Sequence, residues 1–143
     1  MKAIHYVFCL CTALMLTTLN GQAAGEDFNT FLRKFTSSAS FQYSRVKFPL
    51  KTPIILLKDD GETEQTFAFT RDKWALLDEE TLKEGRITEE EGGVYVSRFT
   101  VNTPEAKEFE AGYEESEPLL RVTFELIGGK WYVTDCYTDW YNF

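Results

Sequence analysis

Once the first 24 residues are set aside, carboxylates, tyrosines, lysines and one cysteine are the groups left for chemistry. The single histidine, His5, lies in that leading segment, as do Cys9 and Cys11. The remainder therefore has no Ser-His-Asp or Cys-His nucleophile, no histidine-ligated metal and no histidine proton shuttle. With Cys136 alone, thiolate zinc sites go too, and neither a metal nor a cofactor is expected. The carboxylate that stands out is Asp135, in the run Lys130-Trp131-Tyr132-Val133-Thr134-Asp135-Cys136-Tyr137. Gly128-Gly129 can both take positive φ, as a two-residue hairpin turn requires. A tight turn there opposes Leu126 to Trp131, Phe124 to Val133, Val122 to Asp135 and Leu120 to Tyr137. Period two then gathers these eight side chains on one sheet face, seven of them apolar or aromatic and one charged.

In such a face Asp135 has three readings. It could be a general base in an apolar pocket, its pKa raised by burial, with Tyr137 or Tyr95 donating to a developing oxyanion. It could touch a bound ligand beside Trp131 and Phe124. It could also be structural, accepting hydrogen bonds or pairing with Arg45 or Lys47, because a buried carboxylate is seldom left alone. A bulge near Asp135 would turn its side chain outward. The pocket candidates are thus Asp135, Tyr137, Trp131, Tyr95 and Phe124. No residue is assigned a catalytic role beyond the candidacy of Asp135.

The elements that must position them follow from pattern. Phe28, Phe31, Leu32 and Phe35 recur at helical spacing and predict an N-terminal helix whose stripe packs into the core. A second short turn is expected around Phe41. Ser44 to Pro49 alternates basic and apolar residues like an edge strand, and Ile54 to Leu57 reads as a strand buried on both faces. The acidic turn Asp59-Asp60-Gly61-Glu62 has its glycine misplaced for an EF-hand, so it reads as a solvated turn before a strand over 66–69. Thr70 is placed to cap a helix carrying Trp74, Leu77 and Leu82, with Gly85 at its end. Glu89 to Gly93 reads as a mobile acidic loop and Val94 to Asn102 as a strand. Pro104 to Glu117 is either a short helix or an irregular excursion, Phe109 and Tyr113 favouring a helical turn. Helix first and antiparallel strands after make the class α+β.

Lys2, the apolar run from Ile4 to Leu19 and Gly21-Gln22-Ala23 form the pattern of a secretory signal, with cleavage near Ala23 or Ala24. No lipoprotein acylation triplet precedes Cys9 or Cys11. The expectation is a 1–24 signal peptide and one domain over 25–143, secreted or periplasmic, with no membrane span after cleavage. That domain carries 14 basic and 23 acidic groups, a net charge of −9, which disfavours nucleic acid and anionic membranes as partners. Cys136 cannot form an intrachain disulfide in it, so the core must be hydrophobic.

Phe41-Gln42-Tyr43-Ser44-Arg45-Val46-Lys47-Phe48-Pro49-Leu50 and Lys130 to Tyr137 resemble a family of small exported proteins of Bacteroidota-type bacteria, the domain of unknown function 4348. The resemblance spans essentially all of residues 25–143. It implies a cystatin-like, or nuclear-transport-factor-two-like, cone in which the N-terminal helix packs in the concavity of a strongly curved antiparallel sheet. It brings no activity with it. Two functions are weighed. One is a non-catalytic module of the cell envelope that binds a small ligand or an envelope protein. The other is an isomerase-like or lyase-like enzyme with a pocket Asp as base. A homodimer through Tyr132 and its sheet face is a further option.

Overall fold

The computed structural model describes residues Gly25–Phe143, so the expected signal segment lies outside the described residues. Helix α1 (Phe28–Ser37) starts where Asp27 accepts a hydrogen bond from the Thr30 amide at 2.9 Å, the local capping that Asp favours. It stops at Ser38, an extended residue whose hydroxyl then caps α2 (Ala39–Ser44). Phe31 and Phe35 are fully buried, and Phe28 packs beside them, as the helical stripe predicts. The main sheet is antiparallel with strand order β3-β4-β5-β6-β7, comprising β3 (Ile87–Glu90), β4 (Gly93–Asn102), β5 (Ala106–Tyr113), β6 (Leu120–Ile127) and β7 (Lys130–Thr138). A separate hairpin pairs β1 (Ile54–Leu57) with β2 (Glu64–Phe67). This is the α+β plan of a helix on a curved antiparallel sheet.

Rings fill the space between α1 and the sheet. Phe28 lies 5.0 Å from Trp131 and 5.3 Å from Phe124 between centroids, both nearly edge-to-face. Phe31 and Phe35 approach Phe124 at 6.0 and 5.9 Å. Such tilted pairs are the arrangement aromatic quadrupoles prefer. The closing hairpin turns at Gly128 and Gly129, with φ of 57° and 79°, as the Gly-Gly pair requires.

Five expectations change. Ile54 to Leu57 is a strand but is not buried on both faces, since Ile55 and Leu57 are exposed. Residues 104–117 are no helix: β5 lies between β4 and β6, burying Phe109 and Ala111 while Glu108 and Glu110 turn away. The acidic run at 89–91 is partly strand, since Glu89 and Glu90 pair with Val94 and Gly93. Ser44 to Pro49 forms only an isolated parallel bridge, Val46 to Val133, which covers the outer edge of β7. The segment after Thr70 holds one 3-10 turn, Arg71–Lys73, and then runs irregularly. Buried Gln42 explains this last difference. Its amide nitrogen donates to Phe35 O and Leu77 O at 2.7 and 2.8 Å, and its oxygen accepts from Leu77 N and Trp74 Nε1 at 2.8 and 2.9 Å. Leu77 thus finds on a side chain the partners a helix would have supplied.

Candidate functional site

The register of β6 and β7 decides where Asp135 points. Leu126 faces Trp131 and Phe124 faces Val133, as counted from the turn. The register then slips by one residue, so that Thr123 faces Asp135, Val122 faces Cys136, Arg121 faces Tyr137 and Leu120 faces Thr138. The extra residue is Thr134, a β-bulge, and one inserted residue exchanges the faces of everything beyond it. Cys136 and Thr138 therefore enter the core, while Asp135 and Tyr137 leave it. This corrects the shared apolar face expected for Asp135 and Tyr137.

The Asp135 carboxylate is tied on the outer side. Oδ1 accepts from the Thr52 amide at 2.9 Å and from the Cys136 amide at 3.0 Å, and Oδ2 accepts from the Thr52 hydroxyl at 2.7 Å. These bonds fasten the chain before β1 onto β7. Neither Arg45 nor Lys47 pairs with it. Arg45 instead makes a two-pronged bond to Glu26 at 2.6 and 3.1 Å, and Glu26 also accepts from the Trp131 amide. Lys47 lies over the Tyr132 ring at 4.0 Å. The other candidates disperse. Phe124 and Trp131 are core residues, with the Trp131 indole donating to Glu26 O at 2.8 Å. Tyr95 is half-buried against Tyr113, and desolvation raises its pKa above 10.0. Tyr137 is 42% exposed. The structure thus does not bring Asp135, Tyr137, Trp131, Tyr95 and Phe124 around one hollow.

A depression lies on the far side of α1. It is a groove of about 220 Å³ lined by Asn29, Leu32, Arg33, Thr36, Glu79, Leu82 and Lys83. Two local devices build it. The capped α1 presents Asn29, Arg33 and Thr36 away from the Phe28-Phe31-Phe35 stripe, with Leu32 half-buried at the boundary. Opposite, Asp78 accepts from the Thr81 amide and hydroxyl at 2.8 and 2.7 Å and closes a turn that buries Leu82. Those same bonds, the amide first, hold the Asp78 carboxyl below its ordinary value. Ser97 anchors the end of this turn through Gly85 N to Ser97 O at 2.8 Å and Arg86 N to its hydroxyl at 3.0 Å. The result is an apolar floor, Leu32 and Leu82, beneath a rim bearing two cations and one carboxylate. Neither Arg33 nor Lys83 is in an ion pair among the described residues. An apolar body with an anionic end fits this arrangement.

A second groove of about 290 Å³ includes Arg98, Glu110, Gly112, Tyr113 and Pro118. Its polar groups are more engaged: Glu110 accepts from Arg121 at 2.7 Å and the Tyr113 hydroxyl donates to Glu90 at 3.0 Å. Among the described residues, no cluster of three or more His, Cys, Asp or Glu could hold a metal ion. No helix among them is long and apolar enough to cross a membrane. The groove under α1 escapes sequence reading because helical periodicity assigns Leu32 wholly to the core, and Leu82 reads as part of a helix that does not form.

A protein-family model whose description gives only a likeness, and no activity, matches residues 26–143. Three solved structures resemble the chain. A cystatin-like protein from Bacteroides caccae is 68% identical with a TM-score of 0.74, covering 80% of this chain and 76% of that one. A protein from Bacteroides uniformis is 79% identical with a TM-score of 0.75, covering 83% of this chain and 80% of that one. A protein from Bacteroides ovatus is 73% identical with a TM-score of 0.71, covering 80% and 75% respectively. No curated protein matches.

Proposed function

The chain belongs to this family of cystatin-like proteins, and from that premise we propose that it is a non-catalytic binding module of the cell envelope. The observation that carries this reading is the bulge at Thr134, which turns Asp135 out of the core and commits its carboxylate to Thr52 and Cys136. The enzyme reading asks for a base inside an apolar pocket, within reach of substrate. Here the carboxylate serves as a clasp between two chain segments. The exported family resembled by residues 41–50 and 130–137, domain of unknown function 4348, supports placing the module in the periplasm or outside the cell. The secretory pattern of residues 1–24 supports the same location.

The ligand class this reading favours is a small molecule with an apolar body and an anionic head, held between Leu32 and Leu82 with Arg33 and Lys83 at the rim. Medium-chain monocarboxylates and alkylamines of equal length are the direct probes, followed by amide chemical shifts of the groove residues. Octanoate should shift residues of α1 and 79–83, octylamine should not, and Arg33→Ala with Lys83→Ala should abolish the difference. Absence of any shift in the groove at millimolar octanoate would sink the assignment. Asp135→Asn should leave octanoate binding unchanged, and a loss of binding in that variant would return the carboxylate to a functional role.

A further inference from the structure

The β1–β2 hairpin carries two of the more exposed large apolar side chains, Ile55 at 54% and Leu57 at 62%, and both lie on β1. Register shows that their backbone faces outward as well. Lys58 N donates to Thr63 O at 2.8 Å, and the ladder pairs Leu57 with Glu64 and Ile55 with Thr66. Hydrogen-bonded and non-hydrogen-bonded pairs alternate in an antiparallel ladder. Residues 58, 56 and 54 therefore bond to β2, and the N–H and C=O of Ile55 and Leu57 point the other way. Among the described residues, neither makes a backbone hydrogen bond outside the hairpin.

Proteins usually blunt such an edge with charge, proline or a covering segment. The other free edges here are treated in that way. β3 ends in Glu89 and Glu90, β2 carries Glu64 and Gln65, and the Val46 segment covers β7. Among the described strands, only β1, reading Ile-Ile-Leu-Leu, is uncharged along its whole length.

We propose that β1 pairs antiparallel with β1 of a second copy of this chain, joining two hairpins into a four-stranded sheet. The edge complements itself in one register. A twofold axis through Leu56 sets Ile55 against Leu57 of the partner copy, and Leu57 against Ile55. Both are outward-bonding residues, so the two pairs exchange four backbone hydrogen bonds. Ile55 then packs on Leu57 on one face, and the two Leu56 side chains meet on the other. A register shifted toward the strand start would put Pro53, which has no N–H, in a bonding position. One shifted the other way would use Asp59, which is outside the strand. Carried past the strand ends, the preferred register sets Lys58 against Ile54 and brings the acidic Asp59-Asp60 turn beside the Lys51 end of the other copy. No like charges oppose one another. This pairing needs neither the groove nor its ligand.

Light scattering and sedimentation on the purified chain, with and without residues 1–24, should give the mass of two copies in a concentration-dependent equilibrium. Ile55→Lys and Leu57→Glu should each shift the protein to the mass of one copy, weakening association about tenfold or more. The register makes a sharper demand: the double variant Ile55→Lys/Leu57→Glu, or an equimolar mixture of the two single variants, should associate again. Each sets the introduced lysine of one copy against the introduced glutamate of the other. Ile87→Lys, at an exposed apolar residue of β3, should leave the dimer intact. A wild-type chain that stays monomeric at millimolar concentration would overturn the proposal. So would single variants that remain dimeric, loss of the dimer in Ile87→Lys, or failure of the charge-paired variants to reassociate. Far-UV circular dichroism matching the wild type keeps unfolding from imitating dissociation.

Discussion

Replacing Gln42 by leucine tests whether one buried amide organises the segment between Thr70 and Leu82. Leucine keeps most of the volume, so the perturbation is chiefly polar. Four buried groups lose their partner: the carbonyls of Phe35 and Leu77, the amide of Leu77 and the indole N–H of Trp74. At about 1–3 kcal/mol for each group left unpaired, the ceiling is about 12 kcal/mol. Local relaxation recovers part of this, and the apolar gain of leucine returns about 1–2 kcal/mol. A net loss of about 3–5 kcal/mol is expected, a large share of the roughly 5–15 kcal/mol that stabilises a domain. For about 120 residues, 1 kcal/mol corresponds to about 4 °C, so Tm should fall by about 12–20 °C in calorimetry. Gln42→Glu sharpens the experiment. It sets a carboxylate oxygen where an N–H faced two carbonyls, so its folded pKa should rise above the usual value of about 4.3. A carboxyl with a raised folded pKa is unpenalised below its unfolded pKa and loses stability as pH rises through that window. The Gln42→Glu deficit should therefore grow from pH 4 to pH 7, while the Gln42→Leu deficit stays flat. A Gln42→Leu protein melting within about 4 °C of wild type would refute the reasoning.

Three shorter predictions follow from other contacts. The Arg45 guanidinium, bonded to Glu26, holds that carboxyl below its ordinary 4.5 against the opposing effect of burial. A depressed folded pKa gives stability that is present above 4.5 and lost as pH falls through the folded value, so Glu26→Gln should flatten Tm against pH on the acid side. In Gly112→Ala the new methyl would lie 2.9 Å from Leu119 N and 3.1 Å from Pro118 Cα, both backbone, and urea unfolding should show a loss of about 1–3 kcal/mol. Burial pushes the Cys136 thiol well above 9.0, so a thiol reagent at pH 8 should modify it only as fast as the protein unfolds. Rapid labelling of the native protein would contradict that burial.

What could be read from residue order was whatever rested on strong local periodicity. Three phenylalanines at helical spacing and a Gly-Gly pair between alternating runs specify α1 and the β6–β7 hairpin without help from distant contacts. β5 was hidden because Phe109 and Tyr113, four apart, imitate a helix. The true alternation runs through Phe109 and Ala111, and a buried alanine between Glu110 and Gly112 carries little hydrophobic signal. β3 was hidden for a related reason. An edge strand facing water needs no apolar face, and Glu89-Glu90 protects it while reading as loop. In the segment around Trp74 and Leu77 a side chain from another element replaces helical hydrogen bonds, and no local rule anticipates Gln42.

The loss at Asp135 was of another kind, and it bears on function more than any missed strand. The pairing counted from Gly128-Gly129 holds for Leu126, Phe124, Trp131 and Val133, then fails through one inserted residue. Nothing in Val-Thr-Asp-Cys-Tyr announces the insertion, because either face assignment leaves a plausible strand: Val133, Asp135 and Tyr137 inward, or Val133, Cys136 and Thr138. Long-range partners decide between them. Turned inward, the carboxylate would meet Phe124 and its neighbours with no donor among them, and desolvating an unpaired charge costs several kcal/mol. Turned outward, it receives three hydrogen bonds, two of them from Thr52, 83 residues away in the chain. The bulge also buries Thr134. The same choice that keeps the core apolar turns the Asp135 carboxylate onto Thr52, so the stability of the core and the fastening of the chain before β1 meet at one residue.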